Sequence, residues 1–541
     1  TFNGEIYNHL QIRKLLEKNS SNLKWRSNSD TETLLEAIEY WGLEVALTKL
    51  IGMFAFALWD NNKKCLTLAR DRNGEKSLYY SLLHQDKNID FIFSSELKAI
   101  KIFPSFKKKI RKDALSLQLN CGYIPSPYSI FEDVFKLKPG HFIILQKKDL
   151  EKRLLPLPSP YRPFKSTLSL KTKNLVQMNY DNALIKLDEI FSDVIKDQMI
   201  SDVPIGAFLS GGTDSSLVVS YMQKLSSQNV KTFSIRLDDE KYSHEKNINK
   251  IANYLGTDHR ELFIDEKKII SIIPKLSTIY CEPFSDHAQI PTILLSEFAK
   301  KDVTVALTGD GADELFYGYN NYTLINKLWN ILKLIPRPIK KKIEKLIFSL
   351  KPRTWTKIYN MFINKQINFG DKIYKGSILL KADNFQSFYI YFNLINFQNS
   401  NELKKLIKVF EDLLYHKKKF DNYQFMAFAD QLTCLGDGFL TKVDRAAMNF
   451  SLETRMPFLD PRIKDFAYKL PKSFKTKKYA NKKILRDLLY KHVPRNLFNQ
   501  SKIGFGFPLE TWLRRGPLRE WAEELLDQSR LQQNELLDHN L

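Results

Sequence analysis

A chain of 541 residues and 63.3 kDa exceeds what one ordinary hydrophobic core organises, so its 43% hydrophobic content is expected to fill two or more domains. No run of about 18 apolar residues occurs, which excludes a membrane-spanning helix, and four scattered cysteines (Cys65, Cys121, Cys281 and Cys434) with no CxxC pair argue against a disulfide framework or zinc site and for a reducing, cytoplasmic compartment. The formal charge of +22 would permit nucleic-acid or membrane-surface binding, but the excess is dispersed, and its densest runs, Phe106 to Asp113 and Pro336 to Arg353, read as solvated helix faces.

In chain order, Thr1 to Asn8 read "TFNGEIYN", an apolar entry followed by Asn3-Gly4-Glu5, a tight polar turn that gathers an amide, a backbone N–H and a carboxylate around a small polar ligand. Helical patterns follow in "NHLQIRKLLEK" and "DTETLLEAIEYWG". From Gly52 to Gln146 short apolar or alternating runs, "GMFAFALWD", "KCLTLARDR", "SLYYSLL", "FIFSSE" and "GHFIILQ", are separated by Asn, Asp, Gly and Pro, which is α+β grammar with antiparallel sheet. Residues 151–173 dissolve into the Pro- and Ser-rich "LLPLPSPYRPFKS", a linker signal. Beyond it the order changes to strand "IGAFL", helix "DSSLVVSYMQKL", strand "KTFSI", helix "EKNINKIANYLG", strand "TVALT" and helix "DELFYGYNNY". That alternation implies βαβ units and a parallel sheet with ligands at the carboxyl ends of its strands. From Asn321 the chain is mostly helical. The expected domains are thus 1–150 and 174–541, joined by a linker over 151–173.

The sharpest chemical signal is "FLSGGTDSS", Phe208 to Ser216, where a buried strand runs through Ser-Gly-Gly into a helix. Two adjacent glycines let the backbone turn its N–H groups to one point, and the helix start adds its dipole, which together make a phosphate cradle without the spacing of the common P-loop. Asp214 follows at once, and a carboxylate beside a polyphosphate is how Mg²⁺ is usually held. "VTVALTGDGADELFYGY" repeats the logic with Thr308-Gly309-Asp310-Gly311-Ala312-Asp313-Glu314. Either loop alone reads as a turn or an acidic helix cap; two in one α/β domain predict a polyphosphate and magnesium site.

With these loops the chain resembles the glutamine-hydrolysing asparagine synthetases over essentially its whole length. "SGGTDSS" and "TGDGADELFYGY" are similar to the family's two synthetase loops, "KVDRAAMNFSLETRMPFLD" to a third block, and "NGEIYN", "GMFAFALWD" and "ARDRNGEKSLYY" to its glutaminase half. The resemblance implies an incomplete glutaminase domain of the N-terminal-nucleophile-hydrolase type. An α/β ATP-pyrophosphatase domain of the adenine nucleotide α-hydrolase type, with a helical C-terminal part, would follow it. It implies ATP-dependent amidation of aspartate through β-aspartyl-AMP, with ATP as substrate and Mg²⁺ as cofactor. Leu209, Ser210, Gly211, Gly212, Asp214, Ser215, Ile235, Thr308 and Gly309 would bind ATP, and Asp214 with Asp313 would hold the metal. Asp310, Tyr319 and Lys482 would be catalytic, Lys482 being preferred to its neighbour Lys483 for its spacing to Arg486. Asn3 and Gly4 would be oxyanion donors, and Glu5 and Asp30 would contact the glutamine amino group.

The family's glutaminase nucleophile is an N-terminal cysteine, and none of the four cysteines here is terminal. The segment carrying that cysteine and the family's carboxylate-binding arginine is therefore expected to lie outside a truncated chain, which would take its nitrogen from ammonia where the complete enzyme uses glutamine. The expected partners are small molecules only: ATP, aspartate or a similar acid, and glutamine or ammonia. No nucleic acid or membrane span is expected, and a homodimer is admitted. Relatives that amidate sugar acids for surface polysaccharides make another acceptor the alternative, for which "CGYIPSPYSIFEDVFKLKPGH" speaks. A non-catalytic basic binding protein would leave both Asp-bearing glycine loops unexplained.

Overall fold

Aromatic and small residues alternating along 52–60 (Phe54, Ala55, Phe56, Ala57), and Leu66 and Leu68 along 65–70, build an antiparallel sheet at the heart of the first half. In the computed structural model, which describes residues 1–19, 23–85, 88–161, 178–237, 246–362, 368–394, 420–477, 481–498 and 509–532, β1 (Phe2–Ile6), β2 (Gly52–Asp60), β3 (Cys65–Arg70), β7 (His141–Gln146) and β8 (Ser159–Pro160) lie side by side in that order. Every neighbouring pair in this sheet is antiparallel. A second antiparallel sheet joins β5 (Asn88–Ser94), β4 (Tyr79–Gln85) and β6 (Val134–Lys136). Leu68, Leu78, Tyr80, Leu137 and Ile143 make one core of this half. Ile12, Leu16, Leu34 and Ala37 bring the helices His9–Asn19 and Asp30–Trp41 onto Phe54 and Phe56.

The second half is organised by five parallel strands in the order β11 (Asp258–Ile264), β10 (Lys231–Leu237), β9 (Ile205–Phe208), β12 (Val305–Leu307) and β13 (Glu453–Arg455). One core gathers Phe191, Leu217, Tyr221, Leu307, Phe316 and Phe458, and another gathers Phe233, Ile264, Ile293, Leu294 and Ala446. Buried strands of this kind are near-continuously apolar, as Val305-Ala306-Leu307 is.

Four expectations need correction. Asn3-Gly4-Glu5 is not a turn but the middle of β1, paired with Ala55, Phe54 and Met53. Gly4 has φ +147, and a Cβ there would lie 2.0 Å from Met53 O, so the strands approach closely only because the residue is glycine. The basic run from Phe106 is not a helix face before Lys112; Ile110 forms a bridge with Phe131 and Lys109 pairs with Glu132 at 2.7 Å. "DELFYGYNNY" is not one helix but two, Ala312–Phe316 and Asn320–Leu332, separated where Tyr317 turns left-handed at φ 57. Ser159–Pro160, inside the expected linker, pairs with β7, while 162–173 lie outside the described residues. Both outer strands of the parallel sheet, β11 and β13, were hidden in polar sequence.

Candidate active site

β9 and β12 are adjacent in the parallel sheet, so the loops that follow them leave its carboxyl edge side by side. After β9, the buried Leu209 donates its N–H to Phe233 O at 2.9 Å, and Gly211, at φ 70, turns the chain into the helix Thr213–Leu225. Ser210 donates its N–H to Ser215 Oγ at 3.1 Å, and the two hydroxyls lie 2.9 Å apart, which closes the loop over Gly212, the N-cap residue. After β12, Thr308 donates its N–H to Arg455 O at 2.9 Å and its hydroxyl to Asp310 Oδ2 at 2.8 Å. The loops touch: a Cβ on Gly309 would lie 2.7 Å from Ser215 N. Ile235, buried on β10, stands on the strand next to β9.

Lys482 ties the loops together. It sits just before the helix Lys483–Leu489 in a left-handed conformation at φ 56, a strained setting for a side-chain-bearing residue. Its ammonium lies 2.6 Å from Asp214 Oδ2 and 2.5 Å from Asp313 Oδ1. Burial pulls the pKa of that ammonium down, but the two carboxylates outweigh it and hold it above the ordinary lysine range. Lys483 turns elsewhere, 2.9 Å from Asp487 and 3.3 Å over the Tyr180 ring, so geometry singles out Lys482. Gly318 passes so near that a Cβ on it would lie 1.9 Å from Asp313 Oδ1 and 2.0 Å from Lys482 Cε. Tyr319 then donates its hydroxyl to Glu314 Oε1 at 2.6 Å. Burial, with the charge of Asp313 beside it, pushes the Glu314 carboxyl up to about 8.

Asp214 and Asp313 are hard oxygen donors converging on one cation, and among the described residues no three His, Cys, Asp or Glu side chains gather around a point. That donor set fits Mg²⁺, which is commonly held by one or two carboxylates with phosphates and waters completing the shell.

In the first half the structure brings Asn3, Gly4, Glu5 and Asp30 together. Asp30 Oδ2 accepts the N–H of Ile6 at 2.9 Å, and Asn3 donates from Nδ2 to Ser95 Oγ at 3.2 Å. Glu5 lies 3.6 Å from Arg455 of β13. Burial raises the Glu5 carboxyl to about 7, against the pull of Arg455 and with the Asp30 charge adding to the rise. Burial also raises the thiols of Cys65, Cys121 (to about 12) and Cys434, so these sulfurs are protonated at neutral pH.

Three contacts that the sequence did not announce join the halves. Lys76 and Asp444 form a buried pair at 2.8 Å, Lys464 donates to Asn73 Oδ1 at 2.6 Å, and Asp437 accepts both the N–H and the hydroxyl of Ser126 at 2.6 Å. A signal for the first of these was present in "KVDRAAMNFSLETRMPFLD", where Asp444 stands among apolar residues and needs a partner once buried.

With this geometry in hand, two family models match the chain: a glutamine amidotransferase domain over residues 1–155 and asparagine synthase over residues 186–541. The chain belongs to the asparagine synthase family. It is 31% identical over 543 residues to asparagine synthetase [glutamine-hydrolyzing] 1 of Bacillus subtilis, covering 98% of this chain and 78% of that protein. It is 34% identical over 465 residues to putative asparagine synthetase [glutamine-hydrolyzing] 2 of Methanocaldococcus jannaschii, covering 83% of this chain and 81% of the relative. At 25% identity over 583 residues the family resemblance extends to amidase chry2 of Gibberella zeae, with 98% of this chain and 80% of that protein covered.

Proposed function

We propose that this enzyme joins nitrogen to the side-chain carboxylate of aspartate at the expense of ATP, through an acyl-adenylate. The observation that carries the reading is the meeting of Asp214, Lys482 and Asp313 where the two glycine loops leave adjacent strands. The carboxylate oxygen attacks the α-phosphorus and pyrophosphate leaves; ammonia then attacks the acyl carbon and AMP leaves with that oxygen. The loop of Ser210, Gly211, Gly212 and Ser215 receives the departing pyrophosphate on backbone N–H groups at a helix start. Lys482 supplies a fixed positive charge as negative charge builds up on the phosphates, while Asp310 and Tyr319 orient the acid on the opposite loop. Mg²⁺, held by Asp214 and Asp313, supplies further charge neutralisation when bound.

Asn3, Gly4, Glu5 and Asp30 form a glutamine-recognition site in the first half, and the names of the relatives support glutamine as the nitrogen donor of the family. Thiols held protonated at Cys65, Cys121 and Cys434 support ammonia as the nitrogen donor of residues 1–541. The test is to supply ATP, Mg²⁺ and aspartate with either ammonia or glutamine and to measure asparagine, AMP and pyrophosphate. Equal amounts of the three products with ammonia support the reading; ADP and phosphate in their place overturn it. Asp214→Asn and Asp313→Asn at limiting magnesium test the metal assignment, which near-normal turnover in both would remove.

A further inference from the structure

Beyond Gly318, which abuts Asp313 and Lys482, Tyr319 forms part of the wall of a cavity of about 280 Å³. Its remaining walls come from the helices Asn320–Leu332 and Phe385–Asn393 and from the stretch Ala429 to Phe439, with Cys121 and Tyr123 closing it from the first half. The cavity therefore begins one residue from the convergence of carboxylates and ammonium at the strand ends.

Its charge is lopsided. Asp430 is buried in it, its Oδ2 accepting the Tyr322 hydroxyl at 2.5 Å and its Oδ1 accepting the Tyr389 hydroxyl. No Lys, Arg or His is among the described residues that line the cavity. Burial raises the Asp430 carboxyl only to about 6, so it is ionised at neutral pH, whereas burial keeps the tyrosines and cysteines of the lining neutral. Two hydroxyl donors soften a carboxylate's charge without cancelling it, and a buried charge with no counter-ion is costly. Around it stand the rings of Tyr319, Tyr322 and Tyr389, whose faces attract a cation. Among the described residues the chamber has one carboxylate, aromatic walls and no basic group, a lining complementary to an ammonium group that disfavours an acid whose body carries no positive charge. Asn321 lines the same wall.

We propose that this cavity is the acceptor pocket and that Asp430 reads the ammonium group of the acceptor, so that the enzyme selects an amino acid over an amine-free acid. This rests on the amidation reading above and adds to it the residue that sets acceptor class. Asp430 is a specificity residue that holds the acceptor's ammonium group and takes no part in the bonds that change.

Pyrophosphate release is measured with aspartate and with succinate, which has the same two carboxylates and no amine, in the wild type, Asp430→Asn and Asp430→Glu. A charge-assisted hydrogen bond corresponds to a preference of roughly 10- to 100-fold, so the wild type should favour aspartate over succinate in kcat/KM by about that factor. Asp430→Asn should lose most of this preference through a raised aspartate KM with the ATP KM unchanged, and Asp430→Glu should recover part of it. A merely structural role would lower both acids' rates together and leave their ratio intact, which overturns the proposal. A wild-type ratio near one overturns it without recourse to any variant. Wild-type protein that amidates other acids but neither of these overturns the aspartate reading, a result distinct from an active enzyme indifferent to Asp430→Asn.

Discussion

The ammonium of Lys482 lies 2.6 Å from the carboxylate of Asp214, a contact between residues 268 apart in the chain. The same ammonium reaches Asp313, so a single side chain reports whether both glycine loops are in place. Lys482→Ala should lower the maximal rate of pyrophosphate release by about 10²- to 10³-fold, the usual cost of losing one preorganised charge-stabilising group, with a smaller change in the ATP Michaelis constant. Lys483→Ala, which disturbs only the contacts with Asp487 and Tyr180 away from the two loops, should stay close to the wild type. Steady-state kinetics of the two variants decide the matter, and the reverse pattern would reassign the role.

Gly318 is expected to be intolerant of any side chain. A methyl group there would meet Asp313 Oδ1 and Lys482 Cε at about half a normal contact distance, so one of the two must leave its place. Gly318→Ala should abolish exchange of labelled pyrophosphate into ATP while leaving the melting temperature near the wild-type value. Retained exchange would show that the backbone at Gly318 moves aside without cost.

Glu5 provides a pH signature. Its carboxyl is raised from 4.5 to about 7, so the folded state holds a proton there that the unfolded chain has released. Between those values stability falls with rising pH on account of this group, because the folded state binds more protons than the unfolded. Glutamine affinity should move the opposite way and strengthen as pH rises through 7, since the ionised carboxylate is the form that accepts an ammonium group. Calorimetric titration of glutamine between pH 6 and 8, in the wild type and Glu5→Gln, checks this; a profile of the same slope in both would contradict it.

Lys76 and Asp444 are both buried where the halves meet. Asp444→Ala leaves the Lys76 ammonium without its partner, and the loss should approach 3–5 kcal/mol, about the cost of breaking a buried pair from one side. Replacing both by apolar residues, Lys76→Met with Asp444→Leu, should recover much of it. Urea denaturation followed by tryptophan fluorescence gives both values, and additive losses in the double variant would contradict a paired role.

The parts of the fold that were legible are those whose signal is local. Gly52–Asp60 and Cys65–Arg70 announce themselves by short, largely apolar runs bounded by turn residues, and the two loops at Ser210 and Thr308 by their glycines and acidic followers. Where a local preference competes with tertiary pairing, the local reading fails. Asn and Gly are turn formers, yet Asn3 and Gly4 pair with Ala55 and Phe54 because only glycine allows that approach. Tyr317 continues a helical pattern yet turns left-handed, which frees Gly318 to reach the Asp313 carboxylate. Spacing to Arg486 favours Lys482 over Lys483, and the left-handed turn at Lys482 then sends the two side chains to different partners. Asp430 and Tyr322, 108 residues apart, carry no common pattern at all, since nothing short of the packed helices brings them together.

In the acyl-adenylate route the acid's own oxygen is transferred to AMP. Aspartate labelled with oxygen-18 in its side-chain carboxylate, incubated with ATP, Mg²⁺ and ammonia, should yield AMP carrying one labelled oxygen and unlabelled pyrophosphate, in proportion to the asparagine formed. Label in inorganic phosphate, with ADP as the nucleotide product, or unlabelled AMP, would contradict the acyl-adenylate and with it the roles given to Asp214, Asp313 and Lys482.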